Sequence, residues 1–166
     1  MKLFIRFFFF LGLVSMMVAD WTSSHAQANG DLVVNFSYAQ GKIRQGDTWK
    51  IYLSVTDPEG NMGRVFFRIL RPGGTDAFRK SFIVLKKEMR KEFAGYFALN
   101  TQQPNELEDF VLEVSILDRA GHERKTLLFP VEFSRSAEPM KPLPLNMEKE
   151  LNRRIGNIDF DWALQD

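Results

Sequence analysis

The side chains best suited to chemistry sit in two stretches that read alike, "VTDPEGNMGRVFF" from Val55 and "ILDRAGHERKTLLF" from Ile116. Each leaves an apolar segment, turns through Asp-x-x-Gly-Asn or Asp-x-x-Gly-His, and passes charged residues into a second apolar segment. Asp57, Glu59, Asn61 and Asp118 offer hard oxygens of the kind calcium prefers, provided the fold brings both loops to one end. A second reading needs no ligand. A type I turn favours Asp at its first position, Pro at its second and Gly at its fourth; "DPEG" meets all three preferences and "DRAG" two. Calcium also usually takes more carboxylates than these loops supply, and Arg119, His122 and Arg124 bring basic groups close by. Two turns are therefore the expectation, with calcium the one cofactor kept in view.

Other reactive arrangements are missing. The chain has no Cys and two His, of which His25 falls in the leader described below. Thiol catalysis, Cys-ligated zinc, His-rich metal sites and most Ser/His arrangements are thereby excluded. No G-x-S-x-G, HExxH or Gly-rich phosphate loop occurs. "RPGGT" has paired glycines but lacks the Lys-Ser/Thr and helix that phosphate binding requires. Glu106, Glu108 and Asp109 read as a solvated turn in preference to a glycosidase pair. No catalytic residue is assigned, and the expectation is a non-enzyme.

The chain opens like an export signal. Lys2 and Arg6 precede the apolar run "FFFFLGLVSMMVA", and "SHAQA" places small residues at Ala26 and Ala28 in the A-x-A arrangement, predicting cleavage after Ala28. An uncleaved anchor is the alternative, but the run is short for a bilayer crossing, so no stable membrane span is expected after processing. The implied location is periplasmic or extracellular. The whole chain has 22 basic and 21 acidic side chains, and loss of Lys2, Arg6 and Asp20 leaves the rest balanced. A neutral protein has no electrostatic argument for nucleic acid or an anionic membrane as partner. Without disulfides, an exported domain must hold together by packing alone.

From Asp31 to Phe133 the pattern is β throughout. In "TWKIYLSV", Trp49, Ile51, Leu53 and Val55 share one face and Lys50, Tyr52 and Ser54 the other. Similar alternation marks "GRVFFRIL", "SFIVL", "EFAGYFALNT", "DFVLEVSIL" and "KTLLFPVEF", while "RPGGTDAF" reads as a loop. About seven short strands with frequent turns predict an all-β sandwich in residues 31–133. Pro130 lacks an amide proton and suits an edge or bulge. A Pro-rich linker, 134–145, follows. Residues 146–166 read as a short helix and an amphipathic tail. Asn146 caps the helix, Glu148 and Glu150 open it, Arg153 and Arg154 close it, and Gly156 stops it. Beyond it, Ile158, Phe160, Trp162 and Leu164 alternate with polar residues.

The segment "LEDFVLEVSILDRAGHERKT" resembles the penultimate-strand region of bacterial immunoglobulin-like domains, where an aromatic opens the strand and Asp-x-x-Gly-Asn closes it. Phe110 stands where those domains usually carry tyrosine, and His122 replaces the usual Asn. "VTDPEGNMGRVFFRI" is similar to the second-to-third strand junction of the same superfamily and of its cadherin-like relatives. The resemblance covers roughly residues 31–133 and implies a single immunoglobulin-like β-sandwich. It implies no particular activity, since members serve as spacers, adhesins, partner-binding modules and appendages of enzymes.

In that arrangement the third, sixth and seventh strands share a sheet. Alternation then points Phe66, Leu70, Val111, Leu117 and Leu128 outward, an apolar patch that needs a cover. A bulge that shifted the register would turn them inward instead. Otherwise the cover is the chain's own tail or a protein partner. Burying Phe160 and Trp162 is worth roughly 2–3 kcal/mol each. Either the tail folds back, laying Ile158, Phe160, Trp162 and Leu164 on the sandwich, with an added strand as one form of this, or it adds to a sheet edge or groove on another protein. Fold-back is the ordinary expectation because it also disposes of the patch. The function expected is that of an exported, non-enzymatic envelope protein, binding another protein or serving a structural or accessory role. The alternative is a carbohydrate-binding module of the same sandwich class, with Tyr52, Tyr96 or Trp162 stacking on sugars.

Overall fold

The computed structural model describes residues 31–44, 46–71, 77–101, 109–134, 137, 143 and 149–160. The expected export signal, most of the Pro-rich linker, Glu106, Glu108, Trp162 and Leu164 lie outside them. The described strands are β1 (Val33–Ala39), β2 (Lys42–Ile43), β3 (Thr48–Thr56), β4 (Met62–Leu70) and β5 (Ala77–Val84). After a 3-10 turn at Lys87–Met89 come β6 (Glu92–Asn100), β7 (Phe110–Asp118), β8 (Glu123–Phe133) and β9 (Arg154–Ile158). They form a four-stranded sheet, β1-β3-β6-β9, and a five-stranded sheet, β2-β8-β7-β4-β5. The protein is an all-β sandwich.

Period-two alternation explains the two layers. In β3, Trp49, Ile51, Leu53 and Val55 are fully buried, and the matching residues of the facing sheet are Val65, Phe67, Ile69, Leu112, Val114 and Ile116. Rings cross the gap between the layers: Phe67 meets Phe97 edge-on at 5.2 Å between centroids, and Trp49 meets Phe110 at 5.9 Å. Such edge-to-face pairs add to the gain from burial itself. The indole N–H of Trp49 donates to the Gln40 carbonyl at 2.8 Å, so the largest core residue carries no unmet donor.

Three features depart from the sequence reading. The two-residue strand β2 pairs in parallel with the end of β8, Lys42 opposite Glu132, and is too short to announce itself by alternation. β5 begins at Ala77, inside the stretch read as a loop. The helix ends earlier than expected: the described helical residues stop at 151, and Arg154, Ile155 and Gly156 belong to β9. Gly156 is therefore no helix stop. A Cβ there would lie 2.8 Å from Ile83 Cδ1, so the glycine lets the tail approach β5.

β9 runs parallel to β6, with Gly156 opposite Phe97 and Ile158 opposite Leu99. Leu151, Ile158 and Phe160 are buried, and the last two join the main core cluster. The tail thus seals the free side of β6 and touches β5 on the other sheet. Its described residues do not lie on the outer face of the five-stranded sheet.

Candidate functional site

The DPEG and DRAG turns do meet at one end, where Arg119 N–H donates to the Asn61 carbonyl at 3.0 Å. Both close by i→i+3 hydrogen bonds, Gly60 to Asp57 at 3.0 Å and Gly121 to Asp118 at 3.1 Å, with φ of 66° and 92° at the two glycines. Asp57 is fully buried, and its carboxylate accepts the N–H groups of Glu59 at 3.2 Å and Asn61 at 2.9 Å. Arg124 Nη1 reaches Glu59 Oε2 and Asn61 Oδ1, each at 3.1 Å. Asp118 accepts His122 N–H at 2.9 Å and faces His122 Nδ1 at 3.1 Å. The backbone N–H of His122 does most to hold the Asp118 carboxyl below its usual range; partial burial opposes this, and the hydrogen bond and charge of the His122 ring add to it.

The oxygens put forward for calcium are thus turn acceptors and guanidinium partners. Of these four residues' oxygens, Glu59 Oε1 is the one buried with no hydrogen-bond partner among the described residues. Among those residues no group of three or more His, Asp or Glu side chains is disposed to hold a metal ion. The Arg124 guanidinium is taken up by Glu59 and Asn61, and each loop is closed as a turn by its own backbone hydrogen bond.

The outer face of the five-stranded sheet is different. The register sets Phe82, Phe66, Ser115 and Thr126 in one row across β5, β4, β7 and β8. The next row is Lys80, Arg68, Glu113 and Leu128, and above it lie Leu70, Val111 and Pro130. Register shifts occur in β4 and between β7 and β8, but none turns this face inward. Phe66, Leu70, Val111 and Leu117 are half-buried among their neighbours, while Leu128 is 60% exposed. Phe82 and Val84, which the sequence reading did not single out, are 57% and 64% exposed. Their alternation with Ile83 in "SFIVL" was the available signal. An Arg68–Glu113 ion pair sits amid these apolar groups. No described residue of the tail covers them.

Ile158 and Phe160, proposed for the same contact, are instead consumed by the chain's own core. Trp162 falls outside the described residues. The outer face of the other sheet holds a row of tyrosines, Tyr38, Tyr52 and Tyr96, directly opposite one another. Their rings contact each other at 6.4 and 5.6 Å, and Lys50 Nζ lies 4.8 Å over the Tyr96 ring. Tyr52 is only 5% exposed, so it offers no open platform for a sugar ring. A cleft of about 490 Å³ at the base of the tail is lined by Glu88, Glu92, Glu150 and Arg153 over Met89 and Phe93. All four of its charged residues are exposed to water.

No protein-family model and no curated protein matches this chain. Among the described residues no helix is long and apolar enough to cross a membrane.

Proposed function

We propose that this chain is an exported, non-enzymatic protein of the bacterial envelope, an immunoglobulin-like module that binds another protein through the outer face of its five-stranded sheet. The observation that carries the reading is the exposure of Phe82, Val84 and Leu128 on a sheet face where polar residues are the rule. The Arg68–Glu113 pair within that face supplies orientation, since a partner that desolvates it must match its charges. The export signal read from Lys2 to Ala28 supports the location, and the lack of a recognised catalytic or cofactor-binding motif in the sequence supports the non-enzymatic reading.

Photo-cross-linking in intact cells tests this. A benzophenone side chain at position 82 is expected to trap one discrete envelope protein, and Leu128→Asp in the same chain to abolish the adduct without altering the fold. Adducts formed equally from position 54, on the opposite sheet, or a processed chain found in the cytoplasm, would overturn the reading.

A further inference from the structure

We propose that the tyrosine row on the outer face of the four-stranded sheet is a receptor for a Pro-rich chain in the polyproline II conformation, and that its occupant is the chain's own link "EPMKPLPL" (138–145). The inference stands apart from the reading of the five-stranded sheet. It begins with a contrast between the two outer faces. Phe82, Val84 and Leu128, outward on the five-stranded sheet, are more than half exposed. Tyr52 and Ala98, outward on the four-stranded sheet, are at most 5% exposed. The rings of Tyr38 and Tyr96 shield the flanks of Tyr52. Side chains that stand side by side on a sheet still offer their outer ends to water, so the middle of this row lies under a cover.

The two ends of the link place its path. Ser134 N–H donates to the Ile43 carbonyl at 2.9 Å, Ala137 N–H to the Ser134 carbonyl at 3.2 Å, and Arg44 Nη2 to the Ala137 carbonyl at 3.5 Å. Only Gln40 and Gly41 separate β2 from β1, so the link departs beside the β1 border. Its level there is that of Thr101, whose carbonyl accepts Gly46 N–H at 3.2 Å. The described chain resumes at Lys149, and Glu150 and Arg153 line the cleft with Glu92 and Phe93, at the start of β6 and beside the β9 border. The link therefore runs from corner to corner. Over the four-stranded sheet, three strand spacings wide and eight residue steps long, that diagonal is about 30 Å. Over the five-stranded sheet and around β5 it is about 39 Å. The twelve steps from Ala137 to Lys149 reach about 37 Å as polyproline II. The shorter path fits, and its centre is the Tyr52–Tyr96 pair.

The chemistry of link and row agrees. Prolines at 139, 142 and 144 hold the backbone extended without internal hydrogen bonds, and aromatic-lined grooves read such chains by packing on their proline rings. The small residues Ser54, Ala94 and Ala98 beside the tyrosines leave room for them. Leu143, the described residue in the middle of the link, is half-buried, so the link rests on the body there. A foreign Pro-rich peptide would have to displace a segment tethered within reach at both ends. The occupant is therefore the chain's own.

A benzophenone side chain at position 143 of the full chain tests this. Illumination is expected to join it, within one chain, to peptides carrying Tyr52 or Tyr96, and Pro142→Gly with Pro144→Gly to abolish that product. Fluorotyrosine labelling gives a second reading, since the chain has three tyrosines and all stand in the row. The two glycine substitutions should move the Tyr52 fluorine signal and open it to a paramagnetic probe in solution, while Leu128→Ala leaves it unchanged. Cross-links to β4, β5, β7 or β8, no internal cross-link, or an unmoved Tyr52 signal would overturn the docking. So would products that join differently isotope-labelled copies, which would put the segment on a second chain.

Discussion

Gly95 lies so close beneath the carbonyl oxygen of Arg153 that no β-carbon fits between them, and the neighbouring Tyr96 N–H donates to that same oxygen at 2.9 Å. The tail is thus received by a slot already cut in β6. Gly95→Ala places a methyl group against backbone, at a φ of 155°, and backbone cannot swing aside. The expected loss is about 2–3 kcal/mol, with amide protection falling first at Arg154–Ile158. Gly41→Ala, where the nearest atom would be 3.8 Å away, is the matched control. Equal losses in the two variants would contradict the slot.

Phe160 and Ile158 anchor the tail in the core at 6% and 2% exposure. Phe160→Ala should cost about 3–5 kcal/mol. Ending the chain after Ser134 should lower the melting temperature and raise the fluorescence of a dye that binds apolar surface. An unchanged melting curve would mean that the tail docks without stabilising the domain.

Asp57 is a buried acceptor for two backbone N–H groups, so Asp57→Ala strands both and should cost about 3 kcal/mol in denaturant unfolding. Adding millimolar calcium or a chelator to the native protein should leave the melting temperature where it was. A calcium-dependent rise, lost in Asp57→Ala, would restore the ligand role.

Asp118 carries a folded-state pKa below that of the unfolded chain, chiefly because of the His122 N–H. A depressed carboxyl contributes stability above its unfolded pKa, and the contribution disappears as pH falls through the folded value. The gap in unfolding midpoint between native protein and Asp118→Ala should therefore be present above the unfolded pKa of Asp118 and close below about pH 4. A gap that persists into stronger acid would assign the loss to turn geometry alone.

How far the residues announce this fold varies with the range of the interaction. Trp49, Ile51, Leu53 and Val55 declare β3 and its buried side by alternation, and Asp-Pro-Glu-Gly declares its turn, because both are local. The outward direction of Phe66, Leu70, Val111 and Leu128 follows from the same alternation. The seat of the tail does not. Arg154 and Gly156 look like a helix end when read in order, and only β6 makes them strand. The clue was the pair of glycines at 95 and 156, each in a strand-like setting where a side chain would normally be worth having. The exposure of Phe82 and Val84 was equally available but hidden by the shortness of "SFIVL". β2 carries no signal of its own, since two residues cannot show a period.

The parallel seating of β9 also sets an order of events. Residues that close the border of β6 leave the ribosome long after β6 itself, so a nascent sandwich must wait with Phe97 and Leu99 beside an unfilled seam. During that interval the protein is open to chaperones, proteases and mispairing, and the arrival of Ile158 and Phe160 acts as the latch.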